Sequence, residues 1–272
     1  MFFFAALVFT LPSMTASAAP EAELWERWTA HNAASTATID HSAWETFLKA
    51  NLVRGRDGIN RLAYGRVTAA DRSALPRYLD ALAAVPISRY TRDEQLAYWI
   101  NLYNALTAKT VLDHYPVKSI RDIDISPGFF ADGPWDRKLV KIEGEAVSLN
   151  DIEHRILRPI WRDPRIHYAV NCASIGCPNL QATAFTAANS DSLLEAAARE
   201  YVNSPRGTLI DGESLTVSKI YAWFQEDFGN SDRNVIKHLA RYAKPDLAMA
   251  LRRITEISGY QYDWSLNDIP PS

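Results

Sequence analysis

The hydrophobic pattern of this chain is helical at both ends and broken by short alternating stretches in the middle. Within 21–49, Leu24 and Trp28, then Trp44, Phe47 and Leu48, recur at spacings of three and four, the repeat of a helix with one apolar face. Leu75, Leu79 and Leu82 predict a second helix over 70–84, with Pro86 beyond its end. Thr91-Arg92-Asp93-Glu94 is a capping box and opens a long helix reaching Tyr115, before Pro116. That helix, EQLAYWINLYNALTAKTVLDHY, is apolar on nearly every face and is therefore expected to be buried, with Asn101 and Asn104 inside it. A buried amide needs partners, so these two either pin neighbouring loops to the core or line a site.

The middle of the chain alternates with period two. Leu139, Val140 and Ile142, a turn at Glu143-Gly144, then Val147, predict a hairpin. A short helix is expected over 149–157, stopped by Pro159, and a strand over 166–170. Asp211-Gly212 between apolar runs signals a second tight hairpin. The segments 193–202 and 233–257 read as helices. Helices around a few hairpin strands, without βαβ alternation, define an α+β fold whose small sheet is mainly antiparallel.

Composition changes this picture in three ways. Residues 1–18 are small and apolar and end in Ala16-Ser17-Ala18, the pattern of a cleaved secretory signal peptide, although no Lys or Arg precedes the apolar run. The expected organisation is a signal peptide over 1–18, an N-terminal helical segment over 19–90 and a core over 91–272, in a periplasmic or secreted protein. The net charge is −3 and no block of like charges occurs, which argues against a nucleic-acid partner; no stable membrane span is expected once the signal is removed. Eight Trp, twelve Tyr and ten Phe suffice for a sizeable aromatic core.

Both cysteines fall in RIHYAVNCASIGCPNL, and they carry the chemical question. Cys172 as a nucleophile needs a base. His167 lies five residues before it; in a continuing strand that is about 16 Å, on the opposite face. His154, on the preceding helix, is the preferred base, with Asn150, Asp151, Asn101 or Asn104 to orient it. Two other readings stay open. His167, Cys172 and Cys177 form H-x4-C-x4-C, which is not an established zinc spacing, and Cys172–Cys177 could be a plain disulfide. No phosphate loop, G-x-S-x-G, H-E-x-x-H or EF-hand pattern is present, and no metal or cofactor is expected. The loop Gly128-Phe129-Phe130 with Gly133-Pro134-Trp135 is either a substrate wall or a satellite core.

YWINLYNAL, SLNDIEHRILR, DPRIHYAVNCASIGCP, VSKIYAWFQEDFG and YDWSLND, in that order, make the chain resemble the family called domain of unknown function 547 over about 93–268. The resemblance marks Asn101, Asn104, Glu153, His154, Arg158 and Cys172 as characteristic positions, and Cys177 less so. It implies a papain- or transglutaminase-like cysteine site acting on γ-glutamyl or peptide amides. That core would be a rearranged one, since no Cys-Trp opens a helix here and His154 precedes Cys172. The expected function is cysteine-dependent acyl transfer or amide hydrolysis on a small peptide or γ-glutamyl amide. Cys172, His154 and Glu153 would be catalytic, and Asn101, Asn104, Arg158 and Asn171 would hold the substrate or oxyanion. The alternative is a non-enzymatic periplasmic binding or scaffold module with a Cys172–Cys177 disulfide.

Overall fold

The computed structural model describes residues 20–128 and 133–269; the expected leader and the Phe129-Phe130 pair lie outside the described residues. In chain order, a 3-10 turn (Glu26–Thr29) leads to α1 (Ser42–Asn51), hairpin strands β1 (Leu52–Arg54) and β2 (Asn60–Leu62), α2 (Ala69–Ala83) and α3 (Arg92–His114). Strands β3 (Val140–Ile142) and β4 (Glu145–Val147) follow, then a π-helix (Asp151–Leu157) that runs into α4 (Arg158–Trp161). A 3-10 helix (Pro164–Tyr168), α5 (Ser190–Val202), β5 (Thr208–Asp211), β6 (Ser214–Ser218), α6 (Ile220–Trp223), α7 (Asp232–Tyr242), α8 (Pro245–Leu251) and β7 (Gly259–Gln261) complete the order. The architecture is α+β. β1–β2 and β3–β4 are antiparallel pairs, and β5-β6-β7 is a three-stranded sheet whose last pair is parallel.

Helix α3 is the central post. The Thr91 side chain accepts from the Glu94 N–H and starts it, and buried positions then run from Glu94 to Leu112 on every side. Trp28, Trp44, Leu48, Leu79 and Leu82 from the N-terminal segment share one hydrophobic core with Tyr98, Trp99, Leu102 and Leu106 of α3. A second core gathers Tyr168, Tyr201, Leu215, Tyr221, Val235 and Leu239 around β6.

Four elements differ from the sequence pattern. The helical pattern over 21–49 yields only the 3-10 turn at Glu26–Thr29 and α1 (Ser42–Asn51), with non-helical chain between them. The expected strand at 166–170 is a 3-10 helix, because the Asp163 side chain caps the Arg165 N–H and Pro164 supplies a preset φ at the first turn. The helix expected to end before Pro159 instead passes through it by widening to a π-turn, with the Arg158 N–H bonded to Glu153 O. The helix expected over 233–257 splits at Ala243-Lys244, where Pro245 starts α8. Both hairpins form; the first turns at Glu143-Gly144 as expected, while in the second Asp211 pairs with Ser214 and the turn is Gly212-Glu213. Among the described residues no helix is long and apolar enough to cross a membrane.

Candidate functional site

The turn that carries the cysteines is fixed from α3. Asn104 holds it twice: its Nδ2 donates to Ala169 O at 2.9 Å and its Oδ1 accepts the Asn171 N–H at 2.8 Å. Asn171 continues the brace, accepting the Ala173 N–H at 2.8 Å and donating to Pro178 O at 2.8 Å. Ala173 takes a left-handed φ of 58°, a conformation that costs a non-glycine residue free energy and that the surrounding bonds enforce. Ile175 and Gly176 donate to Ser265 O at 2.8 Å and Asp263 O at 2.7 Å, which brings the chain's last segment against the turn. Asn101 makes the same kind of double bond with Phe185, so the two α3 amides are pins for loops.

At the centre are two free thiols and one phenol. The Cys172 N–H donates to Cys177 Sγ at 3.0 Å, and the Tyr262 hydroxyl donates to the same sulfur at 3.3 Å. Ser174 Oγ donates to the Tyr262 oxygen at 2.9 Å. Tyr262 has one proton to give, and with it committed to Cys177, the 3.0 Å contact between Cys172 Sγ and the Tyr262 oxygen is filled by the Cys172 S–H. The donors around Cys177 have an acid-strengthening effect. Burial works against ionisation there, yet the hydrogen bonds from Cys172, Tyr262 and Ser174 bring its pKa down to about 7. Cys172 is pushed the other way, by burial and then by the neighbouring Cys177 charge. The pair therefore releases one proton near neutrality and resists losing the second.

Glu153, His154, Arg158 and His167 form a separate buried charge cluster. His167 is held between two carboxylates, with Nε2 at 2.7 Å from Asp227 and Nδ1 at 3.7 Å from Glu153. Burial lowers its pKa, but the two acids outweigh that and the net direction is upward. Arg158 donates to Asp227 at 2.6 Å, to Glu226 at 2.5 Å and to Pro20 O at 2.8 Å, so its guanidinium is committed within the chain. Arg158 Nη1 also lies 3.0 Å from His154 Nδ1, which makes that nitrogen an acceptor. Burial, reinforced by Arg158, keeps His154 neutral with a pKa of about 4. Glu153 stays ionised: burial opposes this, but the surrounding cations take it down to about 2.

The expected residues thus fall into two groups. Cys172 meets Cys177, Ser174 and Tyr262, while His154 meets Arg158 and the Phe224 ring, 5.6 Å away. No hydrogen bond joins His154 to Cys172; the partner that orients His154 is Arg158, since Asn150 bonds Asp136 and Asp151 bonds Ser148. H-x4-C-x4-C does not converge either, because both His167 nitrogens face acids, and among the described residues no three His, Cys, Asp or Glu side chains are placed to hold a metal. Three side chains relate the groups. The Tyr103 phenol lies against Glu153 and close enough to both thiols to feel their charge. Phe224 stacks on His167 at 4.3 Å, and its neighbour Trp223 packs on Tyr262 at 4.8 Å. Tyr262, Ser174, Tyr103 and Asp227 are the residues that sequence reasoning missed. Tyr262 and Asp227 stand inside YDWSLND and FQEDFG, but periodicity gives no sign that either closes on a residue tens of positions away.

An α+β chain with a paired-thiol turn braced on a buried helix is the class that fold and site define. Residues 87–202 match the model of the family described as "Protein of unknown function, DUF547", and this segment, which holds α3, the charge cluster and both cysteines, belongs to that family. No curated protein and no solved structure matches the chain.

Proposed function

We propose that the protein is an exported, cysteine-dependent acyl transferase or amide hydrolase in which Cys172 is the nucleophile and Cys177 its proton acceptor. The observation that carries this reading is the Tyr262 hydroxyl lying between the two sulfurs, 3.0 Å from Cys172 and 3.3 Å from Cys177. Cys172 is the thiol with partial solvent exposure, and Cys177 is the buried one with the lowered pKa. As the Cys172 sulfur bonds to a substrate carbonyl carbon, its proton passes to the Tyr262 oxygen and the Tyr262 proton to Cys177. Cys177 then protonates the departing amine, leaving a thioester on Cys172. Water or a second amine, deprotonated by the Cys177 thiolate, attacks the thioester and expels the Cys172 thiolate, and the proton returns from Cys177 through Tyr262 to Cys172, restoring the Cys172 thiol and the Cys177 thiolate. A thiol with a pKa near 7 can play the proton-transfer part more often given to histidine.

Small peptide and γ-glutamyl amides are the substrates to screen, with the periplasm or exterior as the compartment. The wild type is expected to turn over at least one such amide and Cys172→Ala none, with both giving the same circular dichroism. Equal turnover by the two proteins would end the proposal. The adjacency of the thiols also favours a second reading, a non-enzymatic module stapled by a Cys172–Cys177 disulfide. In that case the native, unreduced protein has a mass lower by two hydrogens and takes no alkylating label until it is reduced.

A further inference from the structure

The π-turn at the charge cluster leaves two carbonyls without helical partners. Pro159 lacks the N–H that His154 O would meet in the π register and Arg155 O in the α register, and the Arg158 N–H is taken by Glu153 O. Residues 20–25 supply what is missing. Glu23 N–H donates to His154 O and Trp25 N–H to Arg155 O, each at 3.0 Å. Two donors spaced two residues apart thus meet the carbonyls of two consecutive residues of the turn. The segment's side chains and termini hold it further: Arg155 lies over the Trp25 ring at 4.8 Å, and Pro20 O accepts from buried Arg158.

From Arg158 the contacts continue toward the thiols. Its guanidinium sits 4.8 Å over the Phe224 ring, and Arg158 also grips Glu226 and Asp227 just beyond. Trp223 ends α6 and packs on Tyr262, and Lys219, just before α6, donates its N–H at 2.9 Å to Gln261 O, the residue before Tyr262. We propose that residues 20–25 are a positioning element for the thiol site, which through Arg158 and the Trp223–Phe224 pair fixes the Tyr262 hydroxyl between Cys172 and Cys177. This rests on the thiol reading above and adds to it a requirement for a segment far away in sequence and outside the family match. The two carbonyls orphaned by Pro159 are the physical reason the segment docks where it does, since an unpaired buried carbonyl is costly.

The test uses full-length Glu23→Pro, which removes the donor to His154 O, Trp25→Ala, which removes the ring under Arg155, and Glu23→Ala, which keeps the N–H. Cys172 alkylation is followed against pH, and amide hydrogen exchange is read over 220–228 and 259–262. Glu23→Pro and Trp25→Ala are expected to speed exchange over 220–228 several-fold. They should also raise the pH midpoint of alkylation by about one unit, the size of one weakened hydrogen bond to a thiolate. Glu23→Ala should match the wild type. Fast exchange confined to residues 20–30, with an unchanged midpoint and a quiet 220–228, would overturn the proposal. If Glu23→Pro fails to fold, Trp25→Ala alone decides. A wild-type Cys172 that never alkylates would instead defeat the thiol reading, and exchange over 220–228 would still judge the docking role by itself.

Discussion

The backbone N–H of Cys172 points at the sulfur of Cys177, 3.0 Å away, so the chain's own turn stabilises a thiolate on the second cysteine. Replacing that sulfur removes the acceptor that the turn is built around. Burial and the neighbouring Cys177 sulfur both push Cys172 up, so Cys177→Ser is expected to lower the pH midpoint of Cys172 alkylation, with modest effect on melting. The pH profile of iodoacetamide labelling, read by peptide mass, checks this. An unshifted midpoint would show that Cys177 does not govern the proton.

Asn104→Ala should be among the most damaging single changes outside the apolar core. It strands two buried groups, Ala169 O and the Asn171 N–H, at about 1–3 kcal/mol each. Urea unfolding should show a loss of about 2–5 kcal/mol, well beyond that for an exposed change such as Lys49→Ala. A loss under about 1 kcal/mol would mean that water replaces the amide at both groups.

Arg158→Met tests the buried charge cluster. The guanidinium faces Asp227, Glu226 and Pro20 O, and its loss leaves Asp227 with His167 alone. Removing one partner of a buried ion pair costs about 3–5 kcal/mol, so the variant should melt far below the wild type. Arg158→Lys should recover little, because a single ammonium cannot reach three acceptors in the directions a planar guanidinium serves.

Stability should fall as pH drops through the weakly acid range. His41, His154 and His238 each have a pKa lowered from 6.5 to about 4, with burial the main cause. Between those values the unfolded chain binds more protons than the folded one, so unfolding free energy rises with pH from about 4 to 6.5 and is then flat with respect to these groups. His167 acts in the opposite sense: its raised pKa gives stability that is present below 6.5 and lost as pH climbs through the folded value. His41→Gln, which can keep a bond to the Tyr78 hydroxyl, should flatten the acid slope by up to about 1.4 kcal/mol per pH unit. Urea titrations at pH steps across this range measure it, and an unchanged slope would place the proton uptake elsewhere.

Gly176→Ala should loosen the thiol turn without touching a sulfur. A methyl group there would come within 2.8 Å of Asp263 N and 2.9 Å of the Tyr262 ring. The segment that carries Tyr262 would have to move off the turn, giving a lower melting temperature and altered Cys172 labelling together. Labelling identical to wild type would show that the last segment can yield without disturbing the phenol.

The sequence by itself determined the elements whose cause is local. Thr91 to Glu94 specified the start of α3, the apolar surface of that helix specified its burial, and Glu143-Gly144 and Asp211-Gly212 specified two hairpins. It also singled out Cys172, Glu153, His154, Arg158 and the two α3 asparagines as residues with unusual surroundings. Their pairing was decided by the tertiary structure. His154 meets a guanidinium rather than a thiol, on a π-turn whose His154 and Arg155 carbonyls accept from the N–H groups of Glu23 and Trp25, a contact no local pattern announces. The Tyr262 hydroxyl reaches Cys172 from 90 residues away because Asp263 and Ser265 accept backbone bonds from the cysteine turn. Periodicity records which face of an element is buried. Which side chain of another element it meets there follows from packing and hydrogen-bond completion across the whole chain, and no local pattern encodes that.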